Sequence, residues 1–132
     1  MLNYARQRAL EALKIPEKAV LATSGPAGVQ AGEFPCEAAG LCVYLWIPRT
    51  SDQLFNLEQN AAVTLLTQAW ELKGTAQIVQ PGAAGFEADL LRKRRPDEDW
   101  LEWCVLVRVE PAQVQIRREA GWGNCETIDF EG

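Results

Sequence analysis

Arg49, Thr50 and Ser51 stand together between a strand-like run that stops at Pro48 and the start of a helix-like run. A hydroxyl side chain at a helix start caps free backbone N–H groups, and the positive end of the helix attracts an anion. With a guanidinium just upstream, the trio reads as an anion cup suited to a phosphate. The same three residues also suit an ordinary N-cap beside a surface arginine, and the local sequence leaves both readings open.

The five tryptophans are the other conspicuous side chains. Trp46, Trp70 and Trp103 fall inside strand-like runs, where packing into a core or an interface is the expected use. A flat apolar wall for a ring-shaped ligand is the functional alternative, above all for Trp46. Trp122 lies between Gly121 and Gly123 in a terminal tail, either as an aromatic flap over a pocket or docked to bury area.

Other groups carry less. Cys36, Cys42, Cys104 and Cys125 have no metal-ligand spacing and no cation in the local sequence to lower a thiol pKa, so they read as buried apolar side chains. The run Arg92-Lys93-Arg94-Arg95 is answered at once by Asp97, Glu98 and Asp99 and reads as a solvated helix end. Lys73 reads as an outward strand lysine, and Glu33, Glu37 and Glu71 show no pairing suited to acid–base work. No catalytic residue is assigned.

The chain has no histidine, which excludes imidazole-ligated zinc, His-ligated haem and Ser-His or Cys-His catalytic pairs. No metal site is expected. Net charge is −5, from 13 Lys and Arg against 18 Asp and Glu, which disfavours nucleic acid as a partner. No apolar run approaches the roughly 20 residues of a membrane span. The first residues lack the apolar core of a secretion signal, so a cytoplasmic protein is expected.

The elements that position these residues follow from periodicity. Residues 3–14 carry an apolar stripe at helical spacing, closed by Pro16. Residues 18–24 predict a strand, Gly25–Gly28 a turn and 29–34 the returning strand. Residues 41–47 predict another strand, followed by a short helix capped by Thr50 or Ser51 and running to about Glu58, with Leu54 and Leu57 on one face. Strands are expected at 61–67 and 70–79, the second with Gly74 as a bulge or a close backbone approach. A helix is expected over 86–94, then strands over 103–109 and 114–118 joined through Glu110–Gln113. These 132 residues give one domain, with 1–16 as its N-terminal helical segment and 119–132 as a tail. About seven strands without βαβ alternation predict a mainly β fold, an antiparallel barrel or sandwich with short flanking helices.

The order of motifs resembles a known family. Val20-Leu-Ala-Thr23 is followed by the Gly25–Gly28 turn, then Thr50-Ser-Asp-Gln-Leu-Phe-Asn-Leu57, then Asn60-Ala-Ala-Val-Thr-Leu65, then Leu72-Lys-Gly-Thr-Ala76. This succession is similar to the pyridoxamine 5′-phosphate oxidase-like FMN-binding split barrels and covers roughly residues 18–79. The resemblance implies an antiparallel split β-barrel of six to seven strands, a homodimer, and FMN or another phosphate-bearing ligand between protomers. It implies a flavin-dependent oxidoreductase of unspecified substrate, with Arg49, Thr50, Ser51, Gln53, Trp46 and Trp122 as candidate cofactor residues. Flavin-binding relatives commonly carry an Arg-Lys pair right after the helix serine, whereas Ser51 is followed here by Asp52 and Gln53. That departure implies weak FMN binding. It also keeps open a non-catalytic dimeric split barrel, a ligand-binding or scaffold protein that has lost flavin.

Overall fold

The computed structural model describes residues 2–14, 18–79, 104–118 and 121–130. Its elements are α1 (Leu2–Leu13), β1 (Lys18–Thr23), β2 (Gln30–Ala39), β3 (Cys42–Pro48), α2 (Asp52–Gln59), β4 (Ala62–Leu66), β5 (Trp70–Ile78), β6 (Cys104–Arg118) and β7 (Gly121–Asp129). The sheet runs β3-β2-β1-β4-β5-β6-β7, and a further β3–β6 pairing joins its first strand to its sixth. Six antiparallel strands therefore close into a barrel, and β7 is added outside the closure. The expected helix over 86–94, the basic run at 92–95, Trp100 and Trp103 lie outside the described residues.

Alternation along the strands builds the core. On β3, Val43, Leu45 and Ile47 point into the barrel, joining Leu21 of β1, Leu65 of β4, Leu72 of β5 and Val107 of β6, none more than 1% exposed. Tyr44 and Trp46 point the other way and pack with Leu106 in a second, smaller cluster on the outer wall. The interior is filled by side chains, as expected of a six-stranded barrel. Any ligand must then sit outside it.

Three expectations about strands are corrected. β6 is one strand of 15 residues, not two joined through Glu110–Gln113. Pro111 signals a turn locally, but it sits opposite Gly74 at a register shift of β5. It also lies between the two stretches of β6 that pair with β3 (104–109) and with β7 (113–118). A proline costs least where the ladder is already interrupted, and this is such a place. β2 extends past Phe34 to Ala39, because Cys36–Ala39 pair with β3 after Gln30–Pro35 have paired with β1. Lastly, most of the expected tail is strand: Gly121–Asp129 pairs with the second half of β6.

Two glycine readings hold. Gly28 has φ +85° at the end of the Gly25–Gly28 turn, a conformation that costs a side-chain-bearing residue. At Gly74, an added Cβ would lie 2.0 Å from the Glu110 carbonyl oxygen, so β5 and β6 approach there as only glycine allows. Among the described residues no helix is long and apolar enough to cross a membrane.

Candidate functional site

The site begins with how α2 is fixed to the barrel. Ser51 is its N-cap: the residue is extended, and its Oγ accepts from the Gln53 backbone N–H at 3.2 Å. Helical spacing then turns Gln53, Leu54, Asn56 and Leu57 inward. Leu54 and Leu57 join the barrel core. Gln53 and Asn56 are polar, and burial obliges each to find partners.

They find them on β1 and the turn that follows it. Gln53 Nε2 donates to the Leu21 carbonyl at 3.0 Å, and the Thr23 hydroxyl donates to Gln53 Oε1. Asn56 is fully buried. Its Nδ2 donates to Thr23 Oγ1 at 3.1 Å and to the Gly28 carbonyl at 3.0 Å, and its Oδ1 accepts from the Ala27 N–H at 3.0 Å. A Cβ on Gly25 would come within 2.8 Å of Asn56 Oδ1, so glycine there lets the amide reach the turn. At the far end of the helix, Asn60 Nδ2 donates to the Ser24 carbonyl at 3.2 Å. α2 is thereby held along its length, and its first turn is presented at a fixed place.

Arg49, Thr50 and Asp52 are exposed at that end, with Ser51 half-buried between them. The loop is tight, the Ser51 N–H donating to the Pro48 carbonyl at 3.0 Å. A guanidinium, two hydroxyls and a helix start can meet an anion here, while the Asp52 carboxylate opposes it. Cys104 is also close, since it lies opposite Pro48 in the β3–β6 register. Burial pushes its thiol pKa up, and the Arg49 guanidinium pulls the other way. A thiol held protonated is a poor nucleophile at neutral pH, so Cys104 does not read as a reactive cysteine.

The structure places Arg49, Thr50 and Ser51, consecutive in the chain, at the surface where α2 starts. It puts Gln53 behind them in the wall, with both ends of its amide engaged. Trp46 is 3% exposed, on the outer face of β3 with Tyr44 and Leu106. The backbone of Trp122 is in β7, and its side chain lies outside the described ones. Sequence reasoning missed Thr23, Asn56 and Cys104. The spacing of Leu54 and Leu57 gives little sign of Asn56, which lies about 100° around the helix from Leu57 and about 160° from Leu54. Nothing local announces the approach of Cys104 to Arg49, which depends on the pairing of strands far apart in sequence. Among the described residues no three His, Cys, Asp or Glu side chains come together as a metal site.

No protein-family model matches this sequence, and no curated protein matches it. Solved structures do match. General stress protein 26 from Bacillus anthracis str. Sterne is similar with a TM-score of 0.68 and 16% identity, over 94% of this chain and 98% of that one. A Clostridium acetobutylicum protein related to general stress protein 26 of B. subtilis, of the pyridoxinephosphate oxidase family, is similar with a TM-score of 0.63 and 14% identity, over 98% and 94% of the two chains. HutZ, the heme storage protein from Vibrio cholerae, is similar with a TM-score of 0.62 and 15% identity, over 87% and 94%. At these identities the common property is the fold.

Proposed function

Because the chain has the split-barrel fold of the pyridoxamine 5′-phosphate oxidase-like proteins, we propose that it is a dimeric FMN-binding protein with flavin-dependent oxidoreductase activity. The observation that carries this reading is the group of Arg49, Thr50 and Ser51 at the start of a helix that buried amides lock to the barrel. These three residues would hold the phosphate end of the cofactor. Ser51 keeps its hydroxyl proton to donate, because its capping bond uses only the oxygen as acceptor. Arg49 supplies the charge, and the helix start adds favourable dipoles.

FMN supplies hydride chemistry when bound, and the protein supplies position and electrostatics. The chain's own part is to anchor the phosphate and keep α2 from moving. The packed interior directs the cofactor to the outer wall, where a second protomer would complete the site. Haem is a weaker proposal for this chain than for its structural neighbour HutZ, since the sequence has no imidazole to offer the iron.

A second reading has one observation in its favour. Gln53 spends its amide on Leu21 and Thr23 instead of turning a cation toward the phosphate, and Asp52 stands exposed beside the cup. A dimeric split barrel that serves as a ligand-binding or scaffold protein without flavin is consistent with that. The visible spectrum of the purified protein, before and after incubation with FMN and gel filtration, separates the two. A flavin band retained through the column supports the first reading, and a colourless eluate in both cases supports the second.

A further inference from the structure

We propose that α1 and β7 form one strap outside the closed barrel, latched by the ion pair between Arg8 and Glu126, so that the two elements open and close as a unit. The inference does not depend on the ligand.

The β3–β6 pairing closes the barrel without β7 and without α1. Among the described strands β7 pairs with β6 alone, and that ladder is irregular between Arg117 and Arg118. A strand held along one edge, next to a register shift, belongs to the part of a fold that opens locally at lower cost than the core.

α1 reaches β7 through the Arg8 side chain. Among the described side chains of the helix Ala9 and Leu13 are the buried ones, and the helix rests on β6 and β7. Arg8, beside Ala9, extends to Glu126 of β7, 118 residues away in sequence. Its Nη1 donates to Glu126 Oε2 at 2.9 Å, and its Nη2 lies against Oε1 as an ion-pair contact, while Oε1 itself accepts no hydrogen bond. The side chains are 31% and 21% exposed, so water screens the pair only in part. Tyr4, one helical turn earlier, places its ring 5.6 Å from the Arg8 guanidinium carbon and steadies it. If β7 lifts away, Arg8 loses its carboxylate. If α1 lifts away, Glu126 is left partly buried without its cation. Each opening raises the free energy of the other element, and that is coupling.

The latch has a consequence for the sheet. β7 covers the edge of β6 over Gln113–Arg118. With the strap open, that edge presents backbone N–H and C=O groups able to template an added strand. The Arg8–Glu126 pair keeps the edge occupied.

Hydrogen–deuterium exchange of the full chain tests this, with wild type, Glu126→Gln, Arg8→Glu and the charge swap Arg8→Glu/Glu126→Arg compared. Both single variants should speed amide exchange about fivefold in α1 and in β7 together, as expected for loss of roughly 1 kcal/mol from a partly exposed pair. Exchange in β1–β5 should be unchanged, which also reports that the barrel is folded. The swap should restore protection to both elements. Faster exchange in only one of the two elements, an even change across the barrel, no change, or a swap that fails to restore protection would each overturn the proposal.

Discussion

Asn56 of α2 and Thr23 of β1 are hydrogen-bonded inside the protein, amide to hydroxyl, at 3.1 Å. Thr23 in turn donates to Gln53, so one hydroxyl serves two helix amides and ties the helix to the barrel wall. Three polar side chains with no place in an apolar core are satisfied by one another and by the backbone of β1 and its turn.

Asn56→Ala should therefore be strongly destabilising. It removes three hydrogen bonds and leaves the Ala27 N–H and the Gly28 carbonyl without their partner. A loss on the order of 3 kcal/mol is expected, or roughly 10 °C in Tm. Urea unfolding checks it, and a loss below about 1 kcal/mol would mean that the network does not hold α2.

Gly74 and Gly28 should respond differently to alanine. At Gly74 the new methyl would collide with the Glu110 backbone, which cannot swing aside as a side chain would. Gly74→Ala should break the β5–β6 ladder and yield little folded protein. Gly28→Ala meets open space and suffers only its positive φ, a cost of about 1 to 2 kcal/mol. Comparing the two variants by circular dichroism and thermal melting tests both assignments.

Much of this was legible in the sequence, for reasons that differ by element. β1, β3 and β5 announce themselves through branched and aromatic runs, and Ser51 caps α2 as its hydroxyl and position suggest. Pro111 looks locally like a turn that would divide β6 in two. Only the facing bulge at Gly74 and the exchange of β3 for β7 show why a proline is tolerated within a strand. β7 looks like a tail in sequence, since Gly121, Gly123 and Asn124 have poor strand propensity, which pairing with β6 overrides. At the candidate site, the place of Arg49, Thr50 and Ser51 at the start of α2 was legible from chain order. The burial of Gln53 was not, because helix spacing alone does not say whether a polar residue on the inner side reaches a partner.

That burial decides how the cup can be strengthened. Gln53→Lys would strand a charge in the wall and forfeit two hydrogen bonds, so it should lower stability without helping a phosphate. Asp52→Arg changes an exposed side chain at the mouth, removes a repulsion and adds a donor. It should tighten FMN binding about tenfold or more with little effect on folding. Flavin fluorescence titration of the two variants reads the contrast, and equal affinities would show that residue 52 does not face the phosphate.

Cys104 reports on Arg49 without any ligand. Its thiolate is the form that alkylates, and burial holds its pKa up against the pull of Arg49. Arg49→Ala removes that pull, so the midpoint of the alkylation rate against pH should move upward at Cys104. Peptide-resolved mass spectrometry with iodoacetamide follows Cys104 apart from the other thiols. A midpoint that stays put would separate the guanidinium from the thiol.

The homodimer is tested by light scattering. The proposed function has a second copy complete the outer wall, and a dimer mass at micromolar concentration is the expected outcome. A monomer mass there would remove the partner wall from the proposed site.

The phosphate cup is the central claim, and a fluorescence titration of FMN into wild type and Arg49→Ala, side by side, tests it most directly. Losing one charge-assisted contact of about 1.5 to 3 kcal/mol should raise the Kd about tenfold or more while the melting temperature barely moves. An unchanged Kd in a fully folded Arg49→Ala variant, or no FMN binding by the wild-type protein, would contradict it.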